Sequence, residues 1–217
     1  MKDKKILRLV AIGMMAALCF IGNYIQIPLF TDTRIHFGNV FIILSGLLFG
    51  PVPGGLAAGI GAGIYDLFDP RFLLSAPTTF LTKFAMGYIC GYLAKSAKRV
   101  KPEALHITGS AIIGQLTYIV LYLGKTYLEK RILGYEIGTV MVEILEKLFT
   151  SSVNAVIAVA VAVPLYFALL VPLKATAFKD MIFSRRESSK DKLVKSMYVI
   201  IFLCAVTLAV LIKMLLK

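Results

Sequence analysis

The sequence has no tryptophan, two histidines and three cysteines, and it has 12 acidic residues against 24 basic ones. Each cysteine lies alone within an apolar run, which is typical of a small buried side chain and not of a disulfide framework or a redox pair. The histidines, His36 and His106, are far apart and have no cysteine cluster beside them, so the spacing of a metal site is missing. We therefore expect neither a metal nor a cofactor.

Long polar stretches are also missing. Apolar residues make up 59% of the chain, and the mean hydropathy is +0.83. These values exclude an ordinary soluble domain and favour an all-α polytopic protein in a lipid bilayer. The net charge of +12 comes from basic residues in short loops and tails, where they set membrane topology, so no nucleic-acid partner is expected.

Six apolar segments predict a compact bundle of six transmembrane helices within residues 1–172. A basic cytoplasmic segment (173–195) and an additional C-terminal membrane helix (within 196–217) are expected to follow; an interfacial helix is the alternative for the latter. The N-terminal basic residues suggest a signal peptide, but no cleavage site follows, so a retained helix is expected. The six segments are 6–27, 37–50, 53–68, 77–94, 105–127 and 150–172.

The charges of the loops predict the orientation. With the N-terminus in the cytoplasm, the inner loops and tails collect fifteen lysines and arginines and the outer loops five. This bias agrees with the positive-inside rule. The polar segment 134–149 is then expected to form a loop and the outer start of the sixth helix.

A run of small residues, GPVPGGLAAGIGAG (50–63), predicts tight helix packing. Gly55, Gly59 and Gly63 recur every four residues, the spacing that lets helix backbones approach closely in lipid. Asp66 follows one turn later on the same face, and a carboxylate at membrane depth must face protein or water. The run predicts a helix buried in a compact bundle that carries a carboxylate to an internal site.

The polar side chains that are unfavourable inside a membrane collect in the outer half of the predicted bundle. The residues of its inner half are small and apolar. A proton or ion path would need polar groups through the full depth, so a binding cup open to the outside is expected. The candidate binding residues are Asn23, Arg34, His36, Asp66, Lys83, Gln115, Tyr118, Tyr122, Glu143, Lys147 and Asn154.

Alternative roles remain for the candidates at the start of the list. Asp66 would also be satisfied by Arg71, and Lys83 by Asp66 or by snorkelling to the surface. Arg34 and His36 would equally mark the loop after the first helix.

The later candidates also have alternatives. Glu143 and Lys147 form an i, i+4 pair that a solvated face also shows. Tyr118 and Tyr122 would equally be packing residues, and Asn154 would equally form an interhelical hydrogen bond.

The segments 37–68 and 75–93 resemble the substrate-binding S components of energy-coupling factor (ECF) vitamin transporters, most closely the riboflavin branch. The sixth helix, with Asn154 and Pro164, is similar to the family's asparagine-containing helix. The matching positions are Gly50, Pro51, Gly55, Gly59, Asp66, Ala76, Pro77, Thr79, Lys83, Gly87 and Gly91.

The resemblance implies a six-helix subunit in the cytoplasmic membrane of a prokaryote that binds a vitamin on its outer side. It implies partners as well: a transmembrane coupling protein and two cytoplasmic ATPases. Gly13, Ala16 and Ala17 match the small-residue pattern that meets the coupling protein in the family. Residues 28–37 correspond to a gate over the ligand, and the basic tail at 174–217 departs from the family's usual length.

No enzyme is expected, because the serine, aspartyl and metal signatures of intramembrane enzymes are missing. The sequence also has no G-x-x-x-x-G-K-[ST] motif, so ATP hydrolysis must come from partners. The alternative function is a self-contained secondary transporter or channel for a small organic solute, for which broken helices or repeats would be expected. Riboflavin is the favoured ligand, while a pyrimidine or a pteridine would also suit these side chains.

Overall fold

The computed structural model describes residues 2–30, 33–96 and 102–183. Within these ranges most residues are helical, and three helices are long and apolar enough to cross a membrane: α1, α5 and α6. The prediction of an all-α polytopic membrane protein is confirmed, whereas the number of crossings stays a prediction. The helices are α1 (Lys2–Tyr24), α2 (Gly38–Phe49), α3 (Pro51–Phe68), α4 (Ala76–Ala94), α5 (Glu103–Ile132), α6 (Ile137–Leu173) and α7 (Lys179–Phe183).

A β-hairpin occupies the connection between α1 and α2. Strand β1 (Gln26–Phe30) pairs antiparallel with β2 (Thr33–His36), and Ile27 is opposite Ile35. The sequence predicted a first apolar segment to residue 27 and a loop after it, whereas α1 ends at Tyr24 and strand β1 already begins at Gln26. Pro28 disfavours helical backbone in the residue before it, and the isoleucines and phenylalanine around it suit a strand.

The connection between α5 and α6 is shorter than the sequence suggested. Helix α6 begins at Ile137, so the expected loop in 134–149 is confined to its first residues, where Gly134 has a φ of 81°. Helix continues through the polar residues because a helix satisfies its own backbone hydrogen bonds. Glu143 is also neutralised on both sides, by Lys130 and Lys147.

Helix α3 packs against α1, α2 and α4 through small residues. A Cβ at Gly54 would lie 2.6 Å from the Cα of Gly46 on α2, and one at Gly61 would collide with the Ala16 carbonyl oxygen on α1. Helix α3 can therefore approach both helices only with glycine at these positions.

The predicted packing row Gly55, Gly59 and Gly63 faces α4. A Cβ at Gly55 would lie 3.0 Å from the Phe84 carbonyl oxygen, and one at Gly59 would lie 2.9 Å from both the ring and the carbonyl oxygen of Phe80. A Cβ at Gly63 would be less crowded, at 3.3 Å from the Cβ of Phe80. The row sets the distance between α3 and α4.

The end of the bundle that holds the α2–α3 turn (the turn end) is packed shut. Phe49 makes an edge-to-face contact with Phe178 at 5.7 Å between ring centroids. Ile182 on α7 is 3% exposed, and its carbonyl accepts a hydrogen bond from the Lys95 ammonium. The predicted seventh helix (196–213) and residues 184–195 lie outside the described residues.

Candidate ligand-binding site

A cavity of about 240 Å³ lies at the opposite end, under the hairpin (the hairpin end). Ten of the eleven candidate binding residues line it; that they contact a ligand stays a prediction. Its lining residues are Asn23, Thr33, Arg34, His36, Asp66, Arg71, Phe72, Leu74, Ser75, Thr79, Lys83, Tyr118, Tyr122, Lys125, Glu129, Lys130, Glu143, Lys147, Thr150, Ser151 and Asn154.

Gln115 is the candidate that does not line the cavity. Its side chain is 1% exposed, and its Oε1 accepts a long hydrogen bond of 3.4 Å from Asn39 Nδ2. The i, i+3 spacing from Gln115 to Tyr118 predicted a shared face, but Gln115 lies one turn farther from the hairpin and packs below the cavity.

Arg34 fastens the hairpin to the end of α3. Its guanidinium lies 2.7 Å from an Asp66 oxygen and 3.3 Å from an Asp69 oxygen, and it stacks 4.1 Å above the centroid of the Phe72 ring. Asp66 therefore pairs with Arg34, and not with Arg71 or Lys83 as the sequence alternatives had it. The paired carboxylate holds the hairpin over the cavity.

Arg71 forms an ion pair with Asp69, which follows α3. Its guanidinium lies 2.8 Å from Asp69 Oδ2, and its backbone N–H also donates to Asp69. The hydrogen bonds from the Arg71 side chain are the main reason that the pKa of Asp69 is below its usual value. Asp69 is thus ionised and shared by two arginines.

Asn154 on α6 binds the hairpin backbone with both ends of its amide. Its Oδ1 accepts from the His36 N–H at 3.0 Å, and its Nδ2 donates to the Arg34 carbonyl at 2.9 Å. One turn earlier, the hydroxyl oxygens of Thr150 and Thr33 are 3.2 Å apart. The expected alternative, a hydrogen bond between two helices, is therefore wrong: the partner is a strand.

His36, the last residue of strand β2, is buried with Nδ1 as an acceptor. The Gly38 N–H donates to Nδ1 at 3.1 Å, an arrangement that needs an unprotonated nitrogen. Burial is the main cause that lowers the pKa of His36 well below 6.5, and the positive charges of Lys83 and Arg34 act in the same direction. His36 is therefore neutral in the folded protein.

Lys83 is 3% exposed and makes its contacts with neutral groups. Its ammonium donates to Asn39 Oδ1 at 2.7 Å and lies 3.5 Å from the centroid of the Tyr118 ring. No carboxylate among the described residues lies within ion-pair distance of it. Sequence reasoning missed Asn39, although an asparagine at the start of an apolar helix was a usable signal.

The two candidate tyrosines on α5 stack on each other. Their ring centroids are 5.4 Å apart and their planes differ by 12°. The Lys83 ammonium covers one face of Tyr118, and the Lys147 ammonium lies 5.4 Å from the centre of Tyr122. Tyr118 is 8% exposed, so Tyr122 is the ring of the pair with more open surface.

Glu143 and Lys147 face the cavity and not open solvent. Lys147 is 9% exposed; its ammonium lies 2.7 Å from Glu143 Oε1 and 3.4 Å from Thr126 Oγ1. Lys130 on α5 lies 2.9 Å from the other Glu143 oxygen. One carboxylate is thus shared by two lysines on different helices.

Lys125 and Ser75 also belong to the lining, and sequence reasoning did not select them. The Lys125 ammonium donates to Ser75 Oγ at 2.9 Å and lies 3.1 Å from Glu129. Lys125 follows Tyr118 by seven residues, and this spacing placed it on the same face of the predicted fifth helix as Tyr118 and Tyr122, although it was not among the candidate binding residues.

Residues 3–170 match the family model described as "ECF-type riboflavin transporter, S component". The chain belongs to this family. The resemblance identified in the sequence is therefore confirmed: this is the S-component type of membrane transporter subunit, from a family of transporters and not of enzymes.

One curated relative of this S component is an "Uncharacterized protein in gap 3'region" of Pyrococcus woesei. It is 28% identical over 94 residues, which are 43% of this chain and 59% of the relative. The chain therefore spans about three fifths of the length of the curated relative that it matches. No solved structure matches.

The three residues that the S-component pattern assigns to a partner interface differ in exposure. Gly13 and Ala17 are exposed on α1, and a Cβ at Gly13 would meet nothing within 4 Å. Ala16 is 7% exposed and packs against α3, where its carbonyl faces Gly61. Of the three, Gly13 and Ala17 are therefore the ones accessible to another protein.

Proposed function

We propose that this S component captures riboflavin, or a similar flat heterocycle, in the cavity under the hairpin. The observation that carries the proposal is the cavity itself, which lies under the hairpin and is lined by ten of the polar candidates. Its volume of about 240 Å³ is slightly below the range of roughly 300–1,000 Å³ that is typical of ligand pockets. Membership of the riboflavin family supports this choice of ligand.

Capture takes place from the outside of a prokaryotic cytoplasmic membrane, with the N-terminus in the cytoplasm. The excess of basic residues in the loops on the N-terminal side supports this orientation. The packed turn end, where Phe49 meets Phe178, supports a site that opens only at the hairpin end. Such a site needs a partner to release its ligand on the other side.

Delivery inward uses a transmembrane coupling protein and two cytoplasmic ATPases. The exposed residues Gly13 and Ala17 support a docking surface on α1, since small residues let a second helix approach closely. A matched pair of variants tests this surface. Ala17→Trp should bind ligand normally but abolish uptake, whereas Ala16→Trp should destabilise the chain itself, because Ala16 is buried against α3.

The ligand is tested with the purified full chain. Mass spectrometry should detect a co-purifying flavin, and added riboflavin should lose its fluorescence on binding. In proteoliposomes, uptake should require the coupling protein and ATP hydrolysis by its ATPases. Uptake that persists without ATP and without partners would overturn the proposal and favour a self-contained secondary transporter.

A further inference from the structure

The imidazole of His36 is held with its proton on Nε2. Its Nδ1 accepts a hydrogen bond from the Gly38 N–H at 3.1 Å, so Nδ1 itself carries no proton. In a neutral imidazole the proton is then on the other nitrogen, which makes Nε2 a hydrogen-bond donor. Asn154 fixes the backbone that carries the ring, because its Oδ1 accepts from the His36 N–H at 3.0 Å. The fold therefore sets the tautomer of His36.

Asn23, in the last turn of α1, presents the opposite hydrogen-bonding function. Its Nδ2 donates to the Cys19 carbonyl at 2.7 Å, which leaves Oδ1 as an acceptor. The Asn23 amide also lies against Gly38, where an added Cβ would be 2.6 Å from Oδ1. Gly38 thus contacts both side chains, and it brings the acceptor of Asn23 and the donor of His36 to the same part of the cavity.

Neither of these two atoms has a hydrogen-bond partner among the described residues. His36 and Asn23 both line the cavity, and they are 7% and 2% exposed. In the described part of the chain, the fully enclosed side-chain atoms without a partner belong to Gln26, His106 and Gln115. Nε2 of His36 and Oδ1 of Asn23 are not enclosed in this way, so both atoms are open to the cavity. A ligand that pairs both atoms recovers the free energy that an unpaired buried polar group costs.

We infer that the ligand presents a ring amide to these two side chains: its carbonyl oxygen accepts from His36 Nε2–H, and its adjoining N–H donates to Asn23 Oδ1. This inference rests on the proposed function and narrows it to heterocycles with a lactam or imide edge. A flavin has such an edge in its pyrimidine ring, where N3–H lies between two carbonyl groups. The two hydrogen bonds fix the orientation of the ring system in the cavity.

Riboflavin and 3-methylriboflavin test the amide N–H with the purified full chain. The methyl group replaces the proton on N3 and leaves both carbonyl groups in place. Riboflavin should bind about tenfold or more tightly, because the methylated flavin leaves the buried Oδ1 of Asn23 unpaired. Equilibrium dialysis and fluorescence quenching measure both affinities.

A variant of Asn23 assigns this preference to one side chain. In Asn23→Ala the preference for riboflavin over 3-methylriboflavin should shrink at least fivefold, because no acceptor is left to be unpaired. If the alanine variant does not fold, Asn23→Ser replaces it, since the serine hydroxyl can still donate to the Cys19 carbonyl.

Sulfur analogues test the carbonyl. In 2-thioriboflavin and 4-thioriboflavin, one carbonyl oxygen is replaced by sulfur, a weaker acceptor, and at least one of the two should bind at least threefold more weakly than riboflavin. His36→Asn keeps an acceptor for the Gly38 N–H but removes the Nε2 donor, so the sulfur effect should disappear in this variant. His106→Asn on α5 is the matched control and should retain both the sulfur effect and the preference over 3-methylriboflavin.

The two proposals fail in distinguishable ways. If riboflavin and 3-methylriboflavin bind equally tightly, the ring amide is overturned while the proposed function stands. A preference that is unchanged in the variant of Asn23 overturns the role of Asn23. Equal binding of riboflavin and both sulfur analogues, or a sulfur effect that is unchanged in His36→Asn, overturns the role of His36. If none of these flavins binds, both proposals are overturned.

Discussion

The amide oxygen of Asn154 lies 3.0 Å from the backbone nitrogen of His36, a residue 118 positions earlier in the chain. The same amide donates a hydrogen bond to the carbonyl of Arg34, so a single α6 side chain binds strand β2 through two hydrogen bonds. The hairpin that covers the cavity is therefore held by α6 as well as by the carboxylates of Asp66, in the last turn of α3, and Asp69, just after it.

Removing the two hydrogen bonds of Asn154 should make the hairpin more mobile. Asn154→Leu loses both hydrogen bonds and leaves two backbone groups unpaired, which costs about 1–3 kcal/mol per unsatisfied buried group. Ligand dissociation should become at least tenfold faster, and hydrogen exchange in residues 26–36 should increase. Ser152→Ala, an exposed position on the same helix, is the control. Faster dissociation without any change in hairpin exchange would indicate that Asn154 acts on the ligand directly.

The Arg34–Asp66 pair should show strong energetic coupling. The two side chains are 12% and 3% exposed, and breaking a buried pair by removing one partner costs about 3–5 kcal/mol. Asp69 remains as a second partner for Arg34, so Asp66→Asn should fall at the lower end of that range. Thermal unfolding of both single variants and of the double variant with Arg34→Gln measures the coupling.

The Arg71–Asp69 pair provides the comparison for this cycle. The Arg71 side chain is 45% exposed, and exposed ion pairs contribute about 0–1 kcal/mol. Arg71→Gln should therefore change stability much less than Arg34→Gln. Equal effects of the two substitutions would contradict the role given to Asp66.

Stability should decrease in mild acid because of His36. Its pKa in the folded protein lies below 6.5, so the unfolded chain binds a proton that the folded chain does not. The contribution of His36 to the free energy of unfolding should be constant above about pH 6.5 and should fall below it, by at most about 1.4 kcal/mol per pH unit. Unfolding midpoints between pH 5 and pH 8 measure this dependence.

Two substitutions assign the pH effect to one of the two histidines. His36→Asn keeps an acceptor near the Gly38 N–H but cannot be protonated, so the decrease below pH 6.5 should disappear. His106→Asn should retain it. A decrease that persists in His36→Asn would show that another group titrates.

Small residues on α3 should be essential only where a neighbour is close. Gly59→Ala places a Cβ 2.9 Å from the Phe80 carbonyl oxygen and should destabilise the chain by about 1–3 kcal/mol. Gly109→Ala on α5 is the matched control, because nothing lies within 4 Å of its added Cβ. It should be neutral or stabilising by up to about 1 kcal/mol, the difference in helix propensity. Unfolding midpoints of both variants in the same detergent provide the comparison.

Long-range pairing explains where the sequence expectations for the site were incomplete. The similar predicted depths of Asp66, Lys83 and Glu143 indicate that these residues lie near one another. They do not indicate with which lysine or arginine each carboxylate forms an ion pair. Lys83 donates a hydrogen bond to Asn39, 44 residues away, and Asp66 forms its ion pair with Arg34. These choices depend on the rotation of each helix and on the position of the hairpin.

By itself, the sequence determined the helical membrane fold, the tight packing of the small-residue helix and the clustering of polar groups towards one end. Local rules suffice for these properties: backbone in lipid must bond within its own helix, and close helix contact requires residues such as Gly59. Only the tertiary structure decided that strands β1 and β2 pair, that Asn154 binds β2 and that Gln115 lies beneath the cavity. Each of these depends on contacts between residues that are distant in the chain, and their geometry exists only after the helices have packed.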